Sequence, residues 1–192
     1  MNTVGAALFA GGRSRRMGRD KALLPLKGAL FLDRIMAELA EFDEKLLSVG
    51  EADRYAGAYP GWRHIPDSRP GCGPLGGLCA VLEACGSDAL VVVTCDMPLY
   101  RAELGRWLCG RLEEPWDAVV PAAPDGIHPL CAVYRKRSLP ALERCLREGE
   151  RRLQSALKRL RVRYPDAAGR REMLCNINTP EEYRDLLRRA GY

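Results

Sequence analysis

The stretch LFAGGRSRRMGRDKALLPL, Leu8 to Leu26, constrains this chain more than any other. The apolar run from Val4 to Ala10 reads as a short buried strand, and it breaks at once into Gly11 and Gly12. Glycines let backbone N–H groups approach an anion closely. Arg13, Arg15, Arg16, Arg19 and Lys21 add countercharge within the same loop, so a triphosphate would find both donors and cations there. A solvated basic turn has the same composition, but here the cations are pinned between two apolar anchors, the strand and ALLPL. A P-loop is excluded at two positions. Counted from Gly12, its second glycine falls on Met17, and Lys21 is followed by Ala22 where a magnesium-holding hydroxyl is required.

Further along, apolar residues at Leu30, Phe31, Ile35, Met36 and Leu39 predict a helix between Gly28 and Phe42, and Lys45 to Val49 a strand; Glu51 to Trp62 reads as a loop. Gly71, Gly73 and Gly76 spell G-x-G-x-x-G, with Asp96 twenty positions on. That imitates a dinucleotide fingerprint. The fingerprint needs a strand running directly into its first glycine, and here Asp67, Ser68, Arg69 and Pro70 intervene. A tight turn leading into a helix from Leu75 to Cys85 suits the same residues. Ala89 to Thr94 is apolar on both faces, as a central parallel strand would be, and it ends in Cys95, Asp96, Met97, Pro98. Asp96 could cap a helix there or hold a divalent cation, since ligands gather at the carboxyl ends of such strands.

A helix from Arg101 to Leu112 and a strand from Asp117 to Pro121 continue the alternation, which predicts an α/β fold with a mainly parallel, doubly wound sheet flanked by helices. Pro121 to Pro129 reads as a rim or lid loop, with His128, a solvated residue or a ligand contact, at the mouth of a strand from Leu130 to Tyr134. Ser138 to Leu146 and a stretch carrying Leu153, Leu157 and Leu160 read as helices, and Arg161 to Tyr164 as a strand. Thr179, Pro180, Glu181 and Glu182 open a last helix.

The pattern A-G-G-x-S-x-R-M-G-x-D-K-A-L-L-P-L resembles the signature loop of the molybdenum cofactor guanylyltransferases, within the Rossmann-like nucleotidyltransferases. D-x-x-P-G-x-G-P-L-G-G from Asp67, C-D-M-P at Asp96, HPLCAVY, GERRL and NINTP carry the resemblance through nearly the whole chain. It implies one nucleotidyltransferase domain, residues 1–192, that transfers GMP from GTP to molybdopterin and releases pyrophosphate. The A-G-G form favours guanosine over the A-A-G of CTP-using relatives. By the same resemblance Phe9, Ala10, Gly11, Gly12, Lys21, Asp67, Gly76 and Asp96 meet the nucleotide, and Lys21, Arg15 and Asp96 carry the chemistry. Asp96 would hold Mg2+, and His128, Arg152, Asn176 and Asn178 would lie on the pterin side. One departure stands out: where many members carry an asparagine after the second strand, this chain reads Ser48, Val49, Gly50, Glu51. A CTP-using pterin transferase, a sugar-nucleotide pyrophosphorylase and a non-catalytic GTP-binding carrier of the pterin, delivering to molybdoenzyme apoproteins, stay open as alternatives.

A chain of 192 residues can bury about 70% of its unfolded surface as one domain. The net charge of +5 suits anionic small molecules; with few aromatics and no stacking platform, nucleic acid is not the expected partner. No leader, no transmembrane run and no C-x-x-C pair are visible, so the eight cysteines are expected as reduced thiols in the cytoplasm. The two histidines, His64 and His128, are too far apart in sequence to suggest a zinc site.

Overall fold

The computed structural model describes residues 3–12, 17–51, 54–69 and 71–191. Seven strands form the central sheet: β1 Val4–Phe9, β2 Lys45–Gly50, β3 Arg63–Pro66, β4 Ala89–Thr94, β5 Ala118–Val119, β6 Ala132–Arg135 and β7 Val162–Arg163. Their order is β7-β5-β6-β4-β1-β2-β3. Only β6 runs antiparallel to its neighbours, β4 and β5. The others share one direction, which makes the sheet mainly parallel. β4 explains its own place. Leu90, Val91, Val92 and Val93 are all fully buried, each worth about 1.5–3 kcal/mol over an exposed side chain, and a strand apolar on both faces must be covered on both.

Among the described residues there are six α-helices, of which the first five cover the sheet: α1 Phe31–Glu38, α2 Gly73–Ala84, α3 Ala102–Cys109, α4 Leu139–Arg147, α5 Leu153–Ala156 and α6 Pro180–Arg189. Alternate strand residues divide between two cores. Leu8, Leu47, Val91 and Val133 pack with Ile35 of α1 and Leu104 of α3. Ala7, Leu46, Val92 and Tyr134 pack with Leu78 of α2 and Leu142 of α4. A third, smaller cluster joins Leu186 of α6 and Ile177 to Met17, Leu24, Leu26 and Phe31, so the last helix closes over the end of the signature stretch. No helix among the described residues is long and apolar enough to cross a membrane.

Three sequence expectations are corrected, and one stretch left unassigned, Ala168 to Leu174, proves ordered. The helix predicted from Gly28 begins at Phe31, because Pro25–Leu26 pairs with Ala29–Leu30 around Lys27 and Gly28, both at positive φ (50° and 80°), the geometry of a two-residue hairpin. His64 and its neighbours form the edge strand β3 where the sequence suggested none. Pro121 to Pro129 contains a short hairpin, Ala122–Ala123 with Gly126–Ile127. Residues Ala168–Leu174 form a 3-10 helix.

Candidate active site

The register of the parallel strands assembles the site. Phe9, the last residue of β1, stands opposite both Ser48 of β2 and Thr94 of β4. The pairing carries on past the strands: Cys95 N–H donates to Phe9 O at 2.9 Å, and Ala10 N–H to Ser48 O at 2.9 Å. The signature loop, the turn after β2 and Asp96 therefore leave one carboxyl edge together. Because β6 is antiparallel, its start is at this edge as well, which brings His128 to the same mouth.

At the centre, Lys21 Nζ lies 3.5 Å from Asp96 Oδ2 and donates to Asn178 Oδ1 at 2.6 Å. The lysine and aspartate side chains keep 13% and 22% of their surface exposed, enough for a ligand to reach them. Thr94 Oγ1 donates to Asp96 Oδ1 at 2.5 Å and fixes the carboxylate from behind. The asparagine segment is pinned at both ends. Ile177 N–H donates to Asp96 O at 2.8 Å, and beyond it Thr179 and Glu182 cap α6 reciprocally. Glu182 Oε2 also accepts Asn178 N–H at 2.5 Å.

The glycines serve different ends. A Cβ on Gly11 would stand 2.8 Å from Gly50 N and 2.9 Å from Gly50 Cα; Gly50 has φ +72° and its own Cβ would meet Gly11 O at 3.0 Å. The two loops thus cross backbone to backbone. Gly12 is exposed, and among the described residues nothing lies within 4 Å of where its Cβ would stand. Gly76 is buried, and a Cβ there would meet Cys72 Cβ at 2.7 Å, so packing requires that glycine. Ala10 is fully buried with its N–H already bonded to Ser48, which makes it a spacer. Gly77 of α2 faces three groups at once: a Cβ there would meet Phe9 Cε1 at 2.9 Å, Ser48 Oγ at 3.4 Å and Asp67 Oδ1 at 3.5 Å. Burial pushes the Asp67 carboxyl above its ordinary value; its own N–H is held by Gly50 O at 2.9 Å.

A cavity of about 360 Å³ opens beside Asp96 and is lined by Thr94, His128, Arg152, Gln154 and Asn176. The His128 side chain is 10% exposed, and its Nε2, 3.5 Å from Asp125 Oδ1, has no hydrogen-bond partner among the described residues. Arg152 is exposed, on a turn held by Glu150 Oε1, which accepts the N–H groups of Arg151 and Arg152 at 2.8 and 2.7 Å. Three of the residues expected on the pterin side, His128, Arg152 and Asn176, thus share one cavity. Asn178 lies instead against Lys21, lining a larger groove of about 920 Å³. Arg15, with Arg13 and Arg16, and Pro70 lie outside the described residues. Thr94, Gln154, Arg54 and Tyr55 escaped the sequence reading, and Asp20 entered it only as a letter of the signature pattern; of the four missed, only Thr94, a hydroxyl two places before a strand-end aspartate, left a local signal.

Comparison with known proteins identifies the family. The model of the MobA-like NTP transferase domain matches residues 6–164. A probable molybdenum cofactor guanylyltransferase of Carboxydothermus hydrogenoformans is 33% identical, the match covering 98% of this chain and 97% of that one. One from Methanothermobacter thermautotrophicus is 34% identical over 93% and 96% of the two chains. Among solved structures, molybdopterin-guanine dinucleotide biosynthesis protein A from Archaeoglobus fulgidus superposes with a TM-score of 0.84 at 26% identity, covering 96% of this chain and 97% of that one. A 4-diphosphocytidyl-2C-methyl-D-erythritol synthase from Anaerococcus prevotii shares the fold, with a TM-score of 0.76 at 13% identity over 100% and 97%. The family match over residues 6–164 and the 33–34% identity over more than nine-tenths of the chain lead to one conclusion: this chain belongs to the MobA-like nucleotidyltransferases.

Proposed function

We propose that this nucleotidyltransferase moves GMP from GTP to the terminal phosphate of molybdopterin and releases pyrophosphate. The observation that carries the reading is the meeting of Lys21, Asp96 and Asn178 at the edge of a cavity lined by His128, Arg152 and Asn176. The names of the relatives support the substrates, and the A-G-G form of the signature loop, Ala10 to Gly12, supports guanosine. On this reading residues 1–192 act as one domain, working in the cytoplasm with reduced thiols.

The nucleophile is already an anionic phosphate, so no general base is required; the barrier lies in bringing two anions together while charge grows on the leaving pyrophosphate. Lys21 offsets charge on the triphosphate, and the N–H groups of Gly11 and Gly12 meet its oxygens. Asp67 and the backbone around Gly77 face the nucleoside. Arg152 draws in the pterin phosphate, while the Asn176 amide and the imidazole of His128 suit a heterocycle edge.

A divalent cation fits this donor set. Among the described residues no three acidic, histidine or cysteine side chains gather to cage a metal. Magnesium is commonly held by one or two carboxylates plus substrate phosphates, and Asp96, fixed by Thr94 and open to the cavity, is such a carboxylate. When bound it would supply Lewis-acid charge on phosphate oxygens. Asp96→Asn tests the assignment: turnover should fall by a hundredfold or more, with the melting midpoint retained. An Asp96→Asn protein with full pyrophosphate release would remove Asp96 from the chemistry.

A further inference from the structure

The turn after β2, the segment that lacks the expected asparagine, reaches back to the signature loop. Arg54 Nη2 donates to Asp20 Oδ2 at 2.6 Å and its Nη1 to Gly12 O at 3.1 Å, so one guanidinium fork joins two points of the loop eight positions apart. Tyr55 Oη donates to the same Asp20 oxygen at 2.8 Å, and the guanidinium lies 5.3 Å from the Tyr55 ring centroid. The other oxygen, Oδ1, accepts Ala22 N–H at 3.1 Å and caps the 3-10 turn Lys21–Leu23, which contains the active-site lysine. Tyr55 sits at φ +62°, outside the usual range for a tyrosine. Arg54 and Asp20 side chains are 21% and 24% exposed. Burial and the nearby Asp20 both push the Tyr55 hydroxyl far above its ordinary value, so it stays a donor.

We infer that Arg54 is a positioning residue: acting through Asp20 and Gly12, it holds the turn that aims Lys21 at the nucleotide phosphates, and Tyr55 locks the same carboxylate. A bare cation–phosphate contact would leave the double engagement of Asp20 and Gly12 without purpose. The fork geometry is specific to arginine, since a lysine ammonium cannot span both acceptors in the same plane. The inference rests on the nucleotidyl-transfer reading only for its kinetic consequence; the clasp itself exists in the free protein.

The test uses the full chain as wild type, Arg54→Ala, Asp20→Asn and the double variant. Hydrogen exchange of the Ala22 amide is read without nucleotide, and kcat and KM for GTP are read by pyrophosphate release with molybdopterin. The clasp predicts Ala22 exchange roughly tenfold faster in Arg54→Ala and kcat/KM about tenfold lower. The double variant should be no worse than the poorer single one, because both changes break one unit. Arg54→Lys should restore the Asp20 bond and recover part of both losses. Unchanged Ala22 exchange in Arg54→Ala, or multiplicative losses in the double variant, would overturn the proposal, the second result marking a direct phosphate contact by Arg54. If the wild type releases no pyrophosphate from GTP, the substrate reading fails, and the exchange data judge the clasp alone.

Discussion

Gly11→Ala probes the crossing of the two loops. The added methyl group would lie 2.8 Å from Gly50 N, 2.9 Å from Gly50 Cα and 3.1 Å from Val49 C. All three are backbone atoms, so no side chain can swing aside and the turn after β2 must move by several tenths of an ångström. Forcing a methyl into a closed contact costs about 1–3 kcal/mol, or roughly 5 °C of melting midpoint for a chain of this size. Because the two loops touch backbone to backbone, the strain is shared with the signature loop, which carries the phosphate contacts in the proposed function. A shift near 1 Å there is worth about a hundredfold in rate; a loss of roughly 10–100-fold in kcat/KM follows. Gly12→Ala is the control, because among the described residues nothing lies within 4 Å of its Cβ, and its stability should match wild type. Denaturant titration and pyrophosphate release on the two variants decide the matter. Equal stability of Gly11→Ala and Gly12→Ala would refute the close-contact reasoning.

Lys21→Met should lower kcat by about a hundredfold or more through loss of the cation facing Asp96, measured under saturating nucleotide. Thr179→Ala removes half of the capping box on α6 and should cost about 1 kcal/mol in denaturant titration. Asp67 is raised above its ordinary 3.8 by burial, so the unfolded chain ionises first as pH climbs, and the penalty on the fold is complete above the folded value. Asp67→Asn should therefore melt no lower than wild type at pH 7, that advantage vanishing below about pH 3.8, while nucleotide use is impaired. A lower midpoint for Asp67→Asn at pH 7 would contradict this sign.

What the sequence revealed was what neighbours in the chain decide. Ala89–Thr94 appears with the predicted bounds because its apolar run admits only a covered central strand. The cap at Thr179 was legible because its partners lie within four residues. The edge strand Arg63–Pro66 was not: only Ile65 of its four residues is buried, and it is a strand because β2 offers a parallel edge. The hairpin at Lys27 hid because a lysine at positive φ gives no glycine signal at that place. In the site, what local patterns pointed to were the two motif residues themselves: Lys21 of the signature loop lies 3.5 Å from Asp96, just past the end of β4. The clasp of Arg54 on Asp20 was not legible, being a contact across 34 positions with no local pattern, and neither was the bond between Lys21 and Asn178 across 157.

The most direct measurement is pyrophosphate release with each of the four nucleoside triphosphates and magnesium, with and without molybdopterin. The account predicts release that requires GTP and molybdopterin together. Release with CTP or UTP in place of GTP, or GTP binding with no pyrophosphate formed, would contradict it.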